Sequence, residues 1–147
     1  MRLITALLAL GLTASTTAAH AQRVNLPKAI TIDGYRVSCL NTPILLDPNL
    51  PDMGRAGPGL IIINNAAMRG MASSYKVFIF AHECAHALGI MNEAQADCFA
   101  VQLGLDQGWW DQYGFMNLVA HMGNSPGSYT HAPGSLRIQN IIQCSEL

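Results

Sequence analysis

The hydrophobic pattern changes character along this chain. Leu3 to Leu12 is an almost unbroken apolar run behind one basic residue, Arg2, and it gives way to small residues ending Ala19-His20-Ala21. That is the layout of a secretory signal with a small-x-small cleavage site. The run is about ten residues, short of the roughly 20 that a membrane-spanning helix needs. We therefore expect residues 1–21 to be a signal peptide cleaved after Ala21, leaving 126 residues (147 minus 21), 22–147, as one domain. No second long apolar segment follows, so no transmembrane segment is expected after cleavage.

From Arg23 to Ile63 the apolar runs are short and rich in β-branched residues: "AITI", "YRVSCL", "PILL" and "GLIIIN". These read as strands, with Asp33-Gly34 as a two-residue hairpin turn. Leu50 to Gly59 reads as a loop by its proline and glycine density. From Ser74 the period becomes helical: "YKVFIFAHECAHAL" runs without a breaker to Gly89, capped by Ser73 or Ser74. Apolar residues nearly encircle that helix, which predicts burial on most sides. Gly89 is a C-terminal cap and Asn92 an N-cap for "EAQADCFAVQLGL". Further helices are expected over Trp110 to Met122 and from Ser135 to Gln143. The fold class is therefore a small α+β domain: N-terminal β-strands, a long buried helix that opens a helical hairpin, and C-terminal helices.

Without Arg2, seven Lys and Arg face nine Asp and Glu. No basic stripe exists to neutralise phosphates, which excludes nucleic acid as a partner. Cys39, Cys84, Cys98 and Cys144 are an even number in a chain expected in the periplasm or the medium, so two disulfides are expected, in any of three pairings. Cys84 and Cys98 turn away from the polar face described next. Each can tie its helix to Cys39 or Cys144, and a direct Cys84 to Cys98 bridge is also open.

Two of the chain's three glutamates, Glu83 and Glu93, interleave with histidines in "FAHECAHALGIMNEAQADCFA". His82 and His86, at i and i+4, share one helix face within reach of one ion, and Glu83 sits about 100° round, beside the ion rather than on it. This is the His-Glu-x-x-His arrangement, in which the histidines ligate zinc and the glutamate activates a water. A catalytic zinc takes a third protein donor. Asn92 stands where an extended His-x-x-Gly-x-x-His pattern has its last histidine, and a neutral amide is a poor zinc donor. Glu93 is better placed. In an antiparallel hairpin about Gly89, positions with equal sums face each other, which pairs His86 with Glu93 and His82 with Asp97. Asp97 can then accept the second ring N–H of His82 and fix its tautomer.

With "HECAH" followed by "NEAQAD", the chain resembles a gluzincin, a zinc peptidase with a ligand glutamate in an Asn-Glu-x-x-(Ala/Ser)-Asp segment. "YTHAPGSLRI", Tyr129 to Ile138, is similar to the Thr/Ser-His-Pro-Pro-x-x-x-Arg-Ile segment of the HtpX and CaaX-protease metallopeptidases, with Ala132 in place of the first proline. The chain also resembles small exported bacterial proteins with "HEC" and "ADC" signatures. These resemblances imply zinc (Zn2+) held by His82, His86 and Glu93, Glu83 as general base and Asp97 behind the ligands. They imply that His131 steadies the tetrahedral intermediate, accompanied by Arg137. An exposed strand in "GLIIINNAA" would bind the peptide or protein substrate, with Asn64 or Asn65 on its backbone. The function expected is an exported zinc metallopeptidase in which Glu83 activates a zinc-bound water. The alternatives are a non-catalytic, zinc-stabilised binding or inhibitory module, and an envelope protein with unmetallated histidines.

Overall fold

The computed structural model describes residues 25–145, so the expected signal segment lies outside the described residues. The described chain is α+β, with five strands in two small sheets and four helices. β1 (Ala29–Ile32) and β2 (Tyr35–Ser38) pair antiparallel across Asp33-Gly34. Both turn residues have positive φ, 47° and 92°, the twist that a two-residue hairpin needs and that Asp-Gly tolerates.

The second sheet has the order β3-β5-β4, where β3 is Ile44–Leu46, β4 is Gly54–Gly57 and β5 is Leu60–Ile63. The segment expected as a loop, Leu50 to Gly59, thus contains β4. Its proline and glycine density marks only its end: Pro58-Gly59, with Gly59 at φ 74°, turns β4 back along β5, Gly57 facing Leu60. Pro then Gly is the pair that a type II turn favours. β5 is the central strand, parallel to β3 and antiparallel to β4. Its alternation buries Ile61 and Ile63 against the helices.

α1 (Ser73–Ala87) is buried on nearly every side, with Val77, Phe78, Phe80, Ala81 and Cys84 in the core. Its N-cap is Ala72, which offers no side-chain acceptor, rather than Ser73 or Ser74. The Ser73 hydroxyl instead donates to Asp33 Oδ2 at 2.8 Å, and Lys76 donates to the same oxygen at 2.7 Å, so the helix start is tied to the β1–β2 turn. The helix ends in a Schellman motif: Gly89, at φ 93°, donates to His86 O and Ile90 donates to Ala85 O, both at 3.0 Å.

α2 (Glu93–Asp106) starts at Asn92, whose side chain accepts from Gln95 N at 3.0 Å. α3 (Gln112–Gly123) starts at Asp111, which accepts from Gly114 N at 2.9 Å. α4 (Gly134–Ser145) closes the described chain. Trp109 and Trp110 are core residues, and a Cβ on Gly104 of α2 would meet the Trp110 ring at 2.1 Å, so only glycine admits the indole there.

Disulfides join Cys39 to Cys84 and Cys98 to Cys144. The first ties the end of β2 to α1 and the second ties α2 to α4. They span 45 and 46 positions, and in the chain-entropy account a loop of that length is worth about 4 kcal/mol of stability. No helix among the described residues is long and apolar enough to cross a membrane.

Candidate metal centre

The C-terminal half of α1 presents His82 and His86 to the first turn of α2. Because the Gly89 turn sets the two helices antiparallel, Glu93 meets both rings: Oε2 is 3.2 Å from His82 Nε2 and Oε1 is 3.3 Å from His86 Nε2. His131 arrives from the α3–α4 loop, with its Nε2 3.2 Å from His82 Nε2 and 3.3 Å from Glu93 Oε2. His82 and His86 Nε2 are 3.0 Å apart. The donor atoms of His82, His86, Glu93 and His131 all lie within 4.8 Å of one another, and this group could hold a metal ion.

Three observations test whether it fits one. Metal bonds of 2.0–2.1 Å in tetrahedral array place ligand atoms about 3.3–3.4 Å apart; five contacts within this group, shared between the two Glu93 oxygens, run from 3.0 to 3.3 Å, and the whole group lies within 4.8 Å. Glu93 Oε2 is buried among these rings with no hydrogen-bond partner among the described residues, a costly position for a carboxylate oxygen unless a cation sits beside it. Each ring also has an acceptor for its other nitrogen. His82 Nδ1 lies 2.8 Å from Asp97 Oδ1, His86 Nδ1 2.7 Å from Ile90 O, and His131 Nδ1 2.9 Å from Thr130 Oγ1. A proton on Nδ1 leaves the Nε2 lone pair free, and all three Nε2 atoms point at the shared centre. The residues fit a bound metal.

Asp97 is 1% exposed and is gripped by Arg137, whose Nε donates to Oδ2 at 2.9 Å and whose Nη2 donates to Oδ1. Burial alone would raise the Asp97 carboxyl, but the hydrogen bonds from Arg137 and His82 outweigh it and hold the group below its usual range. The Arg137 guanidinium likewise resists burial through Asp97 and is pushed up, and it lies 5.7 Å from the Phe78 ring centroid. Arg137 therefore orients His82 through Asp97. Burial lowers the His131 imidazole, with Glu93 opposing.

Glu83 is 5% exposed. Burial pushes its carboxyl up, partly offset by His82 and His86. It borders a cavity of about 200 Å³ whose walls include Met53, Gly54, Tyr75, Phe78, Ile79, His82, His131 and Arg137. β4, one of the two edge strands of its sheet, contributes Gly54 to the wall, where the backbone comes so near that a Cβ would lie 2.7 Å from Glu83 Cγ.

The sequence points to "GLIIINNAA" as the exposed edge, but β5 within it is the central strand, flanked on both sides, and the edge beside the site is β4. Asn64 is buried and donates to Leu50 O at 2.7 Å and Pro48 O at 3.3 Å while accepting from Ala67 N at 2.9 Å. It braces that loop, and neither Asn64 nor Asn65 lines the cavity. Gly54 escapes a reading of the sequence because its neighbour is 29 positions away (83 minus 54). Phe78, Ile79 and Tyr75 were not singled out from the sequence, although helical spacing carries the signal, since they precede His82 or Glu83 by four or seven positions and so share their face of the helix. His121 packs on Tyr75, ring centroids 4.9 Å apart, outside the donor group.

Comparison with protein-family models, curated proteins and solved structures finds no match for this chain, so the chemistry of the site is carried by its own geometry.

Proposed function

We propose that the chain is an exported zinc metallopeptidase. The observation that carries this reading is the pairing of a metal-competent His and Glu group with a buried carboxyl, Glu83, on one cavity. Three imidazole nitrogens and a carboxylate gathered within 4.8 Å favour zinc among common divalent ions by donor type. When bound, the ion supplies a Lewis acid and an acidified water.

The chain's own residues supply the rest. Glu83, whose carboxyl burial pushes up and which borders the cavity beside the donor group, is suited to take a proton from the attacking water and return it to the leaving amine. Asp97 and Arg137 hold His82 in one tautomer. The backbone of β4 offers an extended peptide a strand to pair with, and Tyr75, Phe78 and Ile79 offer its side chain an apolar wall. This reading agrees with the gluzincin resemblance, and export agrees with two disulfides, which persist in oxidising compartments.

The test is Glu83→Gln, measured by metal content and by hydrolysis of a mixed peptide library. The variant is expected to keep one zinc per chain and lose cleavage. Wild-type protein that binds zinc and cleaves nothing would contradict the enzymatic reading.

Four protein donors favour a second reading, a non-catalytic zinc-stabilised module, because structural zinc sites are closed while catalytic ones keep an open position. In that case chelation unfolds the domain with no activity to lose.

A further inference from the structure

The fourth donor has its own loop. Residues 124–133 join α3 to α4 without regular structure, and Gly134 N donates to Ser125 O at 3.0 Å to close the base. Above that base the hydrogen bonds turn inward. Ser128 N donates to His131 O at 2.9 Å, and the Ser128 hydroxyl accepts from the backbone of Thr130 and His131. Gly127, at φ 81°, makes this tight course possible, because a Cβ there would stand 2.8 Å from Pro133 N and 2.9 Å from His131 O. Tyr129 at the tip is fully exposed. Among the described residues, the polar contacts that tie Ser128 to His131 to the body of the protein are those of the His131 ring with His82 and Glu93.

We propose that His131 is a latch: a fourth metal donor that closes the site in the resting protein, on a loop whose release frees a coordination position facing Glu83 and the cavity. This rests on the reading that His82, His86 and Glu93 hold zinc. Two features support it. The Nδ1 of His131 lies near the Thr130 and Ser128 hydroxyls, at 2.9 and 3.3 Å, so its Nε2 lone pair faces the centre as those of the two helical histidines do. The carrier is also a surface loop pinned at its base, whereas the other three donors stand on α1 and α2, which a disulfide on each helix ties to the rest of the fold. His131 is therefore the donor that can leave without unfolding the domain. His131 and Glu83 border the same cavity, so its departure opens the metal toward the general base.

The experiment uses the disulfide-bonded protein loaded with cobalt(II), whose visible spectrum reports coordination number, and azide, a small anion that binds open metal positions. Wild type is expected to give an intense four-coordinate spectrum that azide leaves unchanged. His131→Ala and the size-conserving His131→Gln are expected to bind metal roughly tenfold or more weakly, on the scale of a lost metal-site partner, and to respond to azide. Equal affinities together with an azide response in wild type would overturn the latch and leave the three-ligand reading standing. If no protein in the set takes up metal, the metal reading falls and the latch with it.

Discussion

Two connections deliver a donor to the same point, and they do so by different physics. The α1–α2 turn, residues 88–92, is short and fully specified: a Schellman motif at Gly89 and a capping Asn92 set the register that brings Glu93 to His86 and Asp97 to His82. The α3–α4 loop, residues 124–133, brings His131 through hydrogen bonds made largely within itself. The first donor is fixed by two packed helices and the second by a loop, so the first should be structural to the site and the second conditional.

The largest effect that would break this contrast is on metal affinity. Glu93→Ala should weaken zinc binding by more than the roughly 100-fold that loss of a partner one step from a metal can cost, because it removes a donor and leaves two helical imidazoles facing each other. His131→Ala should cost less, on the order of tenfold, in a competition titration with a chelating dye. The reverse order would show that the loop, not the hairpin, builds the centre.

A pair of glycines sharpens the comparison. Both have positive φ, but a Cβ on Gly127 would strike the backbone of residues 131–133, while one on Gly89 would meet open space. Gly127→Ala should therefore reproduce the weaker metal binding of His131→Ala. Gly89→Ala should leave metal affinity near wild type and cost only left-handed strain, about 1–2 kcal/mol, read from denaturant unfolding. A fall in affinity for Gly89→Ala alone would invert the assignment.

The same contrast explains what the sequence made legible. The hairpin could be read because helical period, a glycine stop and an asparagine start are local signals, and the equal-sum rule then pairs His82 with Asp97, found 2.8 Å apart. The Asp33-Gly34 turn was readable for the same reason. What escaped depends on distant neighbours. β4 was hidden in a stretch dense in glycine and proline because its strand character comes from pairing with β5. β5 looked like an edge because its parallel partner, β3, is only three residues long and lies 17 positions earlier in register, Ile44 pairing with Ile61 (61 minus 44). The Ser73 hydroxyl serves Asp33 rather than its own helix. His131 and Arg137 were marked by the "THAPGSLR" segment, but no local rule showed His131 joining the donor group or Arg137 clamping Asp97.

X-ray absorption at the zinc edge of the purified protein tests the central claim most directly. The account predicts one zinc per chain in a shell of imidazole nitrogen and carboxylate oxygen at about 2.0–2.1 Å, with three imidazoles and one carboxylate. A shell containing sulfur at about 2.3 Å, or protein purified without chelator that carries no zinc, would contradict it.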